Sequence, residues 1–110
     1  MLLDTGLNPA LIRNGALRRR FHHGRDGVEP LLPAGEADPL LGALAAVKLA
    51  LSHIKVVSIS HLRNDHAGGL RHVAGRVPIH VQRAELDFGL STAAERYGIF
   101  RIDFDDPALR

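Results

Sequence analysis

The sequence predicts a mixed α/β fold in one domain, and three observations point that way. Short apolar runs alternate with segments whose apolar residues recur at helical spacing. Residues 54–59, Ile-Lys-Val-Val-Ser-Ile, are apolar almost throughout, which suits an interior strand. Asp38 followed by Pro39 combines a capping carboxylate with a proline at the first helical position. The chain has 110 residues, enough for one modest core. Hydrophobic residues make up 45% and mean hydropathy is −0.01, which fits a globular chain and not a disordered one.

Taken in order, residues 1–5 read as a short strand, and Gly6-Leu7-Asn8-Pro9 as the turn that ends it. Residues 10–12 begin a helical turn. Residues 13–33 form the least structured stretch, punctuated by Gly24, Gly27, Pro30 and Pro33. A helix starts at Asp38 and runs through Val47. Leu40, Leu44 and Val47 share one face with Leu41 beside them, and that face packs on the sheet. The strand over 54–59 follows, with Lys55 near its start, where the ammonium can reach water. A short helix after His66, a strand over 79–82 and a helix over 84–90 complete the prediction. There is no internal repeat.

The chemistry concentrates just after the interior strand. Residues 60–70 read Ser-His-Leu-Arg-Asn-Asp-His-Ala-Gly-Gly-Leu, so His61, Asp65 and His66 crowd one loop. Two imidazoles and a carboxylate at a strand's carboxyl end suit a borderline cation such as zinc. Gly68-Gly69 are expected to let the chain turn away and leave space beside the ligands. The plainer reading is a loop with two solvated histidines.

The loop resembles the metal-binding signature of the metallo-β-lactamase superfamily, His-x-His-x-Asp-His. Leu2-Leu3-Asp4-Thr5-Gly6 resembles that family's strand ending in Asp-Thr-Gly. Pro78-Ile79-His80-Val81-Gln82-Arg83-Ala84-Glu85 resembles its next strand and helix start, with wording closest to the N-acyl-homoserine lactonase-like branch. The tail from Tyr97-Gly98 through Ile102-Asp103-Phe104-Asp105-Asp106-Pro107-Ala108-Leu109 is similar to the same branch. The resemblance implies the N-terminal half of an αβ/βα sandwich, with residues 1–110 a partial domain lacking its C-terminal half. It further implies a metal-dependent hydrolase of a lactone or related ester, holding one or two zinc ions. His61, Asp65 and His66 would be ligands, and Asp65 would also pass a proton to the leaving alkoxide. Asp4 would brace the metal loop; read alone, it is a turn-forming aspartate.

Two departures limit that expectation. Arg63 stands at the signature's second histidine, and a guanidinium has no lone pair to offer a metal. At ~4 Å and an effective dielectric of about 20, unit charges interact by roughly 4 kcal/mol, and a divalent ion doubles that repulsion. The family's remaining ligands come from a C-terminal half that has no counterpart here. At most one metal ion is therefore expected. The alternative is an inactive remnant that binds metal weakly or serves as an interaction module.

Elsewhere the sequence is less pointed. Arg18-Arg19-Arg20 can attract phosphate or an acidic partner, and a third reading builds a phosphate- or nucleic-acid-binding domain on them. No aromatic interleaving accompanies them, so a solvated loop is the plainer reading. His22 and His23 are adjacent and their side chains diverge. His53, His72 and His80 are isolated and suit surface or packing roles. Glu85 reads as a first-turn acid favoured by the helix dipole. A net charge of +2 predicts neither nucleic acid nor membrane as partner. No cysteine is present, which excludes disulfides and thiolate ligands. The apolar runs are too short to span a bilayer, and the start lacks a basic, apolar leader, so the cytoplasm is the expected location. With one sheet face expected to lack a partner layer, self-association or a complementing second half is also expected.

Overall fold

The computed structural model describes residues 1–22 and 38–105. Strand β1 (Leu2–Leu3) leads through a left-handed Gly6 (φ 74°) into helix α1 (Pro9–Arg13). Asn8 caps α1, its Oδ1 accepting from Ala10 N at 2.9 Å, and Pro9 opens the first turn. Helix α2 (Gly15–His22) follows at once. The Asn14 side chain accepts from Ala16 N at 3.0 Å and Leu17 N at 3.2 Å, so a second capping residue starts it. This corrects the expectation that the least structured stretch begins at residue 13. The remainder of that stretch, with His23, lies outside the described residues. On α2 the consecutive Arg18, Arg19 and Arg20 point about 100° apart and form no single patch. Arg18 donates to Ile12 O at 3.1 Å, and the Arg20 guanidinium lies 4.8 Å from the centre of the Phe21 ring.

Helix α3 (Pro39–Ala46) begins as the sequence predicts, with Asp38 Oδ1 accepting from Leu41 N at 3.2 Å. Asp38 Oδ2 meets His72 Nε2 at 2.9 Å, which ties the helix start to the turn beyond residues 60–67. Leu40 and Leu44 enter the core, but Val47 is 64% exposed and Leu41 39%. The predicted face is truncated because the helix stops one residue early. Leu49 N bonds Leu44 O at 2.8 Å and Lys48 N bonds Ala45 O at 3.0 Å, the paired closure of a Schellman ending. That closure needs a left-handed residue, and Lys48 supplies it at φ 57°.

A 3₁₀ turn (Leu51–His53) precedes strand β2 (Val57–Ser58). Helix α4 (Asn64–Ala67), a 3₁₀ turn (Leu70–His72), strand β3 (Ile79–His80) and helix α5 (Arg83–Gly89) follow. A last 3₁₀ turn (Ala94–Tyr97) and helix α6 (Arg101–Phe104) complete the described chain. The sheet is parallel in the order β1-β2-β3, so β2 is central, as its composition predicts. Regular pairing is shorter than predicted, covering two residues per strand.

Register explains burial. Leu2, Val57 and Ile79 stand abreast and face the core, where Val57 is fully buried. Leu3, Ser58 and His80 stand abreast on the other face, with Leu3 64% exposed and His80 exposed. Alternation of this kind is the two-residue period of a strand covered on one side. Lys55 is exposed, its Nζ donating to Ser52 O at 2.9 Å, in keeping with a lysine at the strand's start. The covered face meets Leu40 and Leu44 of α3, Leu62, Ala67, Leu70, Val73, Ile99 and Phe104. Among the described residues no helix is long and apolar enough to cross a membrane.

One buried group is under electrostatic stress. Asp103 is 2% exposed; its Oδ1 accepts from Asn8 Nδ2 at 2.8 Å, while Oδ2 has no partner among the described residues. Burial pushes its carboxyl up to about 7, against the opposing pull of the Asn8 hydrogen bond and the Arg71 charge.

Two predictions arise here. Lys48→Gly relieves the left-handed lysine and should stabilise the protein by about 0.5–1 kcal/mol, read as a higher midpoint in urea. For Asp103, the folded state holds its proton to higher pH than the unfolded chain. Its contribution is therefore complete below the ordinary value of 3.8 and is lost as pH rises through about 7, by on the order of 4 kcal/mol. Asp103→Asn should flatten the fall in melting temperature between about pH 4 and pH 7. A slope identical in both proteins would exonerate Asp103.

Candidate metal centre

The loop from Ser60 to Ala67 is fixed from three sides. Arg63 caps α4 through its backbone oxygen, which accepts from His66 N at 2.8 Å and Ala67 N at 3.0 Å. Asn64, 7% exposed, bonds Gly98 O through both its backbone N (2.9 Å) and its Nδ2 (3.0 Å). Leu62 N donates to Glu85 Oε1 at 2.7 Å, so the first turn of α5 clamps the loop. The third side is the segment after β1. Thr5 N and Thr5 Oγ1 both donate to His66 O, at 2.7 and 2.8 Å, and Gly69 N donates to Thr5 Oγ1 at 3.0 Å.

The glycines do something other than turn the chain. Gly68 has an ordinary φ of −63° and Gly69 one of −93°. A Cβ on Gly68 would lie 2.0 Å from Asn8 N and 2.4 Å from Leu7 C; one on Gly69 would lie 2.4 Å from Thr5 O. Their missing side chains let two backbone segments touch, residues 5–8 lying directly against them.

On this support His61, Asp65 and His66 converge. Their candidate ligand atoms all lie within 4.8 Å of one another, and His66 Nε2 is 3.5 Å from Asp65 Oδ2. Zinc at ~2.1 Å from each donor sets tetrahedral donors roughly 3.4 Å apart, so that pair already has the required spacing. The His61 and His66 rings are 3.9 Å apart at 47°. Both imidazoles are half-buried and Asp65 is exposed.

Asp4 sets the tautomers. It sits at φ 57°, a left-handed position that aspartate tolerates, and its carboxylate accepts from Ser60 N (2.8 Å), Ser60 Oγ (2.8 Å) and His66 Nδ1 (2.9 Å). Ser60 Oγ is also 3.0 Å from His61 Nδ1. With the serine proton given to Asp4, its oxygen accepts from His61 Nδ1–H. Both rings then carry their proton on Nδ1 and keep a lone pair on Nε2, the arrangement that carboxylate-backed metal ligands use. Burial, the largest single influence, raises the Asp4 carboxyl, but the hydrogen bonds from His66 and Ser60 outweigh it. The carboxyl is held below the ordinary aspartate range.

Arg63 is exposed, and no ion pair joins it to Asp65 among the described residues. His53 and His72 have structural roles: His53 Nδ1 accepts from Ala50 N at 2.9 Å, and His72 meets Asp38. Glu85 is more than the first-turn acid that the sequence suggests, and Ser60, Thr5 and Asn64 carry bonds that no motif announced. A cavity of about 340 Å³ lined by Ser58, Ile59, Ser60, His80, Val81 and Gln82 opens at the carboxyl ends of β2 and β3, sharing Ser60 with the metal loop.

Comparison with protein-family models, curated proteins and solved structures gives no match.

Gly68→Ala should abolish folding, since both opposing atoms are backbone and cannot yield. Gly42→Ala, with nothing within 4 Å of the added carbon, should instead stabilise α3 by about 0.5–1 kcal/mol. Circular dichroism melts of the two variants decide the matter. A folded Gly68→Ala protein would mean that residues 5–8 do not lie where they are described.

Proposed function

We propose that this chain is part of a metallo-β-lactamase-type hydrolase that holds one divalent ion, zinc for preference, on His61, Asp65 and His66. A lactone or related ester is the proposed substrate class and the cytoplasm the proposed location. The observation that supports the reading most is the network in which Asp4 and Ser60 present two imidazole lone pairs beside a carboxylate. Solvated histidines have no need of such bracing. Three protein ligands with a fourth position open is the pattern of catalytic zinc, whereas structural zinc is closed. A bound zinc ion supplies a water whose pKa falls to about 7 and polarises a carbonyl.

The residues divide the remaining work. Asp4 Oδ2 fixes the His66 ring, and Ser60 Oγ fixes the His61 ring. Asp65 turns one oxygen toward His66 Nε2, and its exposed carboxylate can carry a proton to the leaving alkoxide. The cavity beside Ser60 offers a place for the substrate's body, outside the carboxyl ends of parallel strands. Leu62 and Asn64, pinned by Glu85 and Gly98, keep the loop from relaxing.

The second reading, a weak metal-binding module without catalysis, is favoured by the cation at Arg63. Metal content and affinity of the purified protein separate the two. The first predicts about one equivalent of tightly held zinc and a 10–100-fold loss of affinity in Asp4→Ala. Weak binding that tightens only in Arg63→His supports the second. No zinc in either protein overturns the metal site altogether.

A further inference from the structure

We infer a second ligand site, at the end of the sheet away from the metal loop, that takes a small amphiphilic anion: a carboxylate or phosphate head on a short aliphatic tail. A cavity of about 350 Å³ opens there, within the size range of small-molecule sites. Its walls come from the segments that lead into β2 and β3, so it lies at the amino ends of those strands. None of its residues belongs to the loop over 60–67, and the inference is independent of the metal-site reading.

The wall divides by chemistry. Leu51, Ile54, Val73 and Val77 supply an apolar side, on which Ile54 and Val73 are buried. Ser52, Lys55, His72 and Arg76 supply a polar side, and among the described residues no carboxylate lines the cavity. Asp38, the acid bonded to His72, is turned to that ring and to Leu41 N. Lys55 Nζ donates to Ser52 O at 2.9 Å, so the ammonium is held against the cavity wall with two N–H donors to spare. Among the described residues nothing engages the Ser52 hydroxyl or the Arg76 guanidinium.

Two fixed cations beside an apolar wall concentrate anions, because the wall has a low dielectric and focuses their field. The guanidinium offers a planar fork that matches carboxylate or phosphate, and the ammonium adds a point charge. A head on these donors lays a tail of a few carbons against the apolar side, which an inorganic ion would leave unused. A larger cavity, of about 460 Å³, also has two arginines, Arg20 and Arg101. There, however, Glu95 lines the wall with them, and Arg101 is held by Leu90 O and Asp105.

The test is calorimetric binding of hexanoate, hexyl phosphate, acetate and hexanol at fixed ionic strength. Four proteins are compared: the unaltered chain, Lys55→Gln, Arg76→Gln, and Arg83→Gln as a control at an exposed arginine outside the cavity. The expected result is a roughly tenfold loss of affinity for both hexyl anions in Lys55→Gln and in Arg76→Gln, with none in Arg83→Gln. Hexanoate should bind roughly tenfold tighter than acetate, since its further methylenes leave water. Tighter binding of hexyl phosphate would identify a phosphate ester as the ligand class, and of hexanoate a carboxylic acid. Hexanol binding as tightly as hexanoate would overturn the anionic head, and acetate doing so would overturn the apolar tail. Equal affinity in Arg76→Gln and the unaltered chain, or an equal loss in Arg83→Gln, would overturn the site itself.

Discussion

Everything at the carboxyl end of the sheet depends on one backbone-to-backbone contact. Residues 5–8 lie directly on Gly68 and Gly69, with a Cβ excluded at both positions. Only at that range can Thr5 bond His66 O and Gly69 N together. Asp4 immediately precedes Thr5, so the contact places its carboxylate against Ser60 and His66. Asn8 follows three residues later and both caps α1 and reaches Asp103. The loop over residues 60–67, the first helix and α6 are thus positioned by the same four residues.

The resulting site is built by crosslinks between segments far apart in sequence. Glu85 is 23 residues from Leu62, Asn64 is 34 from Gly98, and Asp4 is 62 from His66. Such bonds close large loops, and the ordering they require is supported by the apolar cluster beneath. Val57, Leu62 and Ala67 are at most 2% exposed, which gives the loop a firm floor. The side chains of His61, Asp65 and His66 stand above that floor, partly in water.

Much of this was legible in sequence wherever the signal was local. Asp38-Pro39 states a helix start outright, the apolar run over 54–59 marks the central strand, and His61, Asp65 and His66 declare themselves by type and spacing. The failures are non-local or concern stopping points. Helix α2 rests on Asn14 as a cap, which is easily passed over in an arginine-rich stretch. Val47 has the right spacing for the core but caps the helix end just before the turn that Lys48 makes, and nothing about a lysine announces a left-handed backbone. Gly68-Gly69 advertise freedom of rotation, whereas their function is lack of bulk, a property visible only once the opposing backbone is in place. Glu85 cannot be paired with Leu62 N by any spacing rule.

The Ser60 hydroxyl has one proton and two neighbours that compete for it, Asp4 Oδ2 and His61 Nδ1. Given to the carboxylate, it leaves the imidazole's outer nitrogen bare; given to the imidazole, it reverses that ring's polarity. His66 must aim its Nδ1–H at the carboxylate whichever way the hydroxyl turns, so that ring is fixed, and the serine rotor decides only which nitrogen the His61 ring leaves bare.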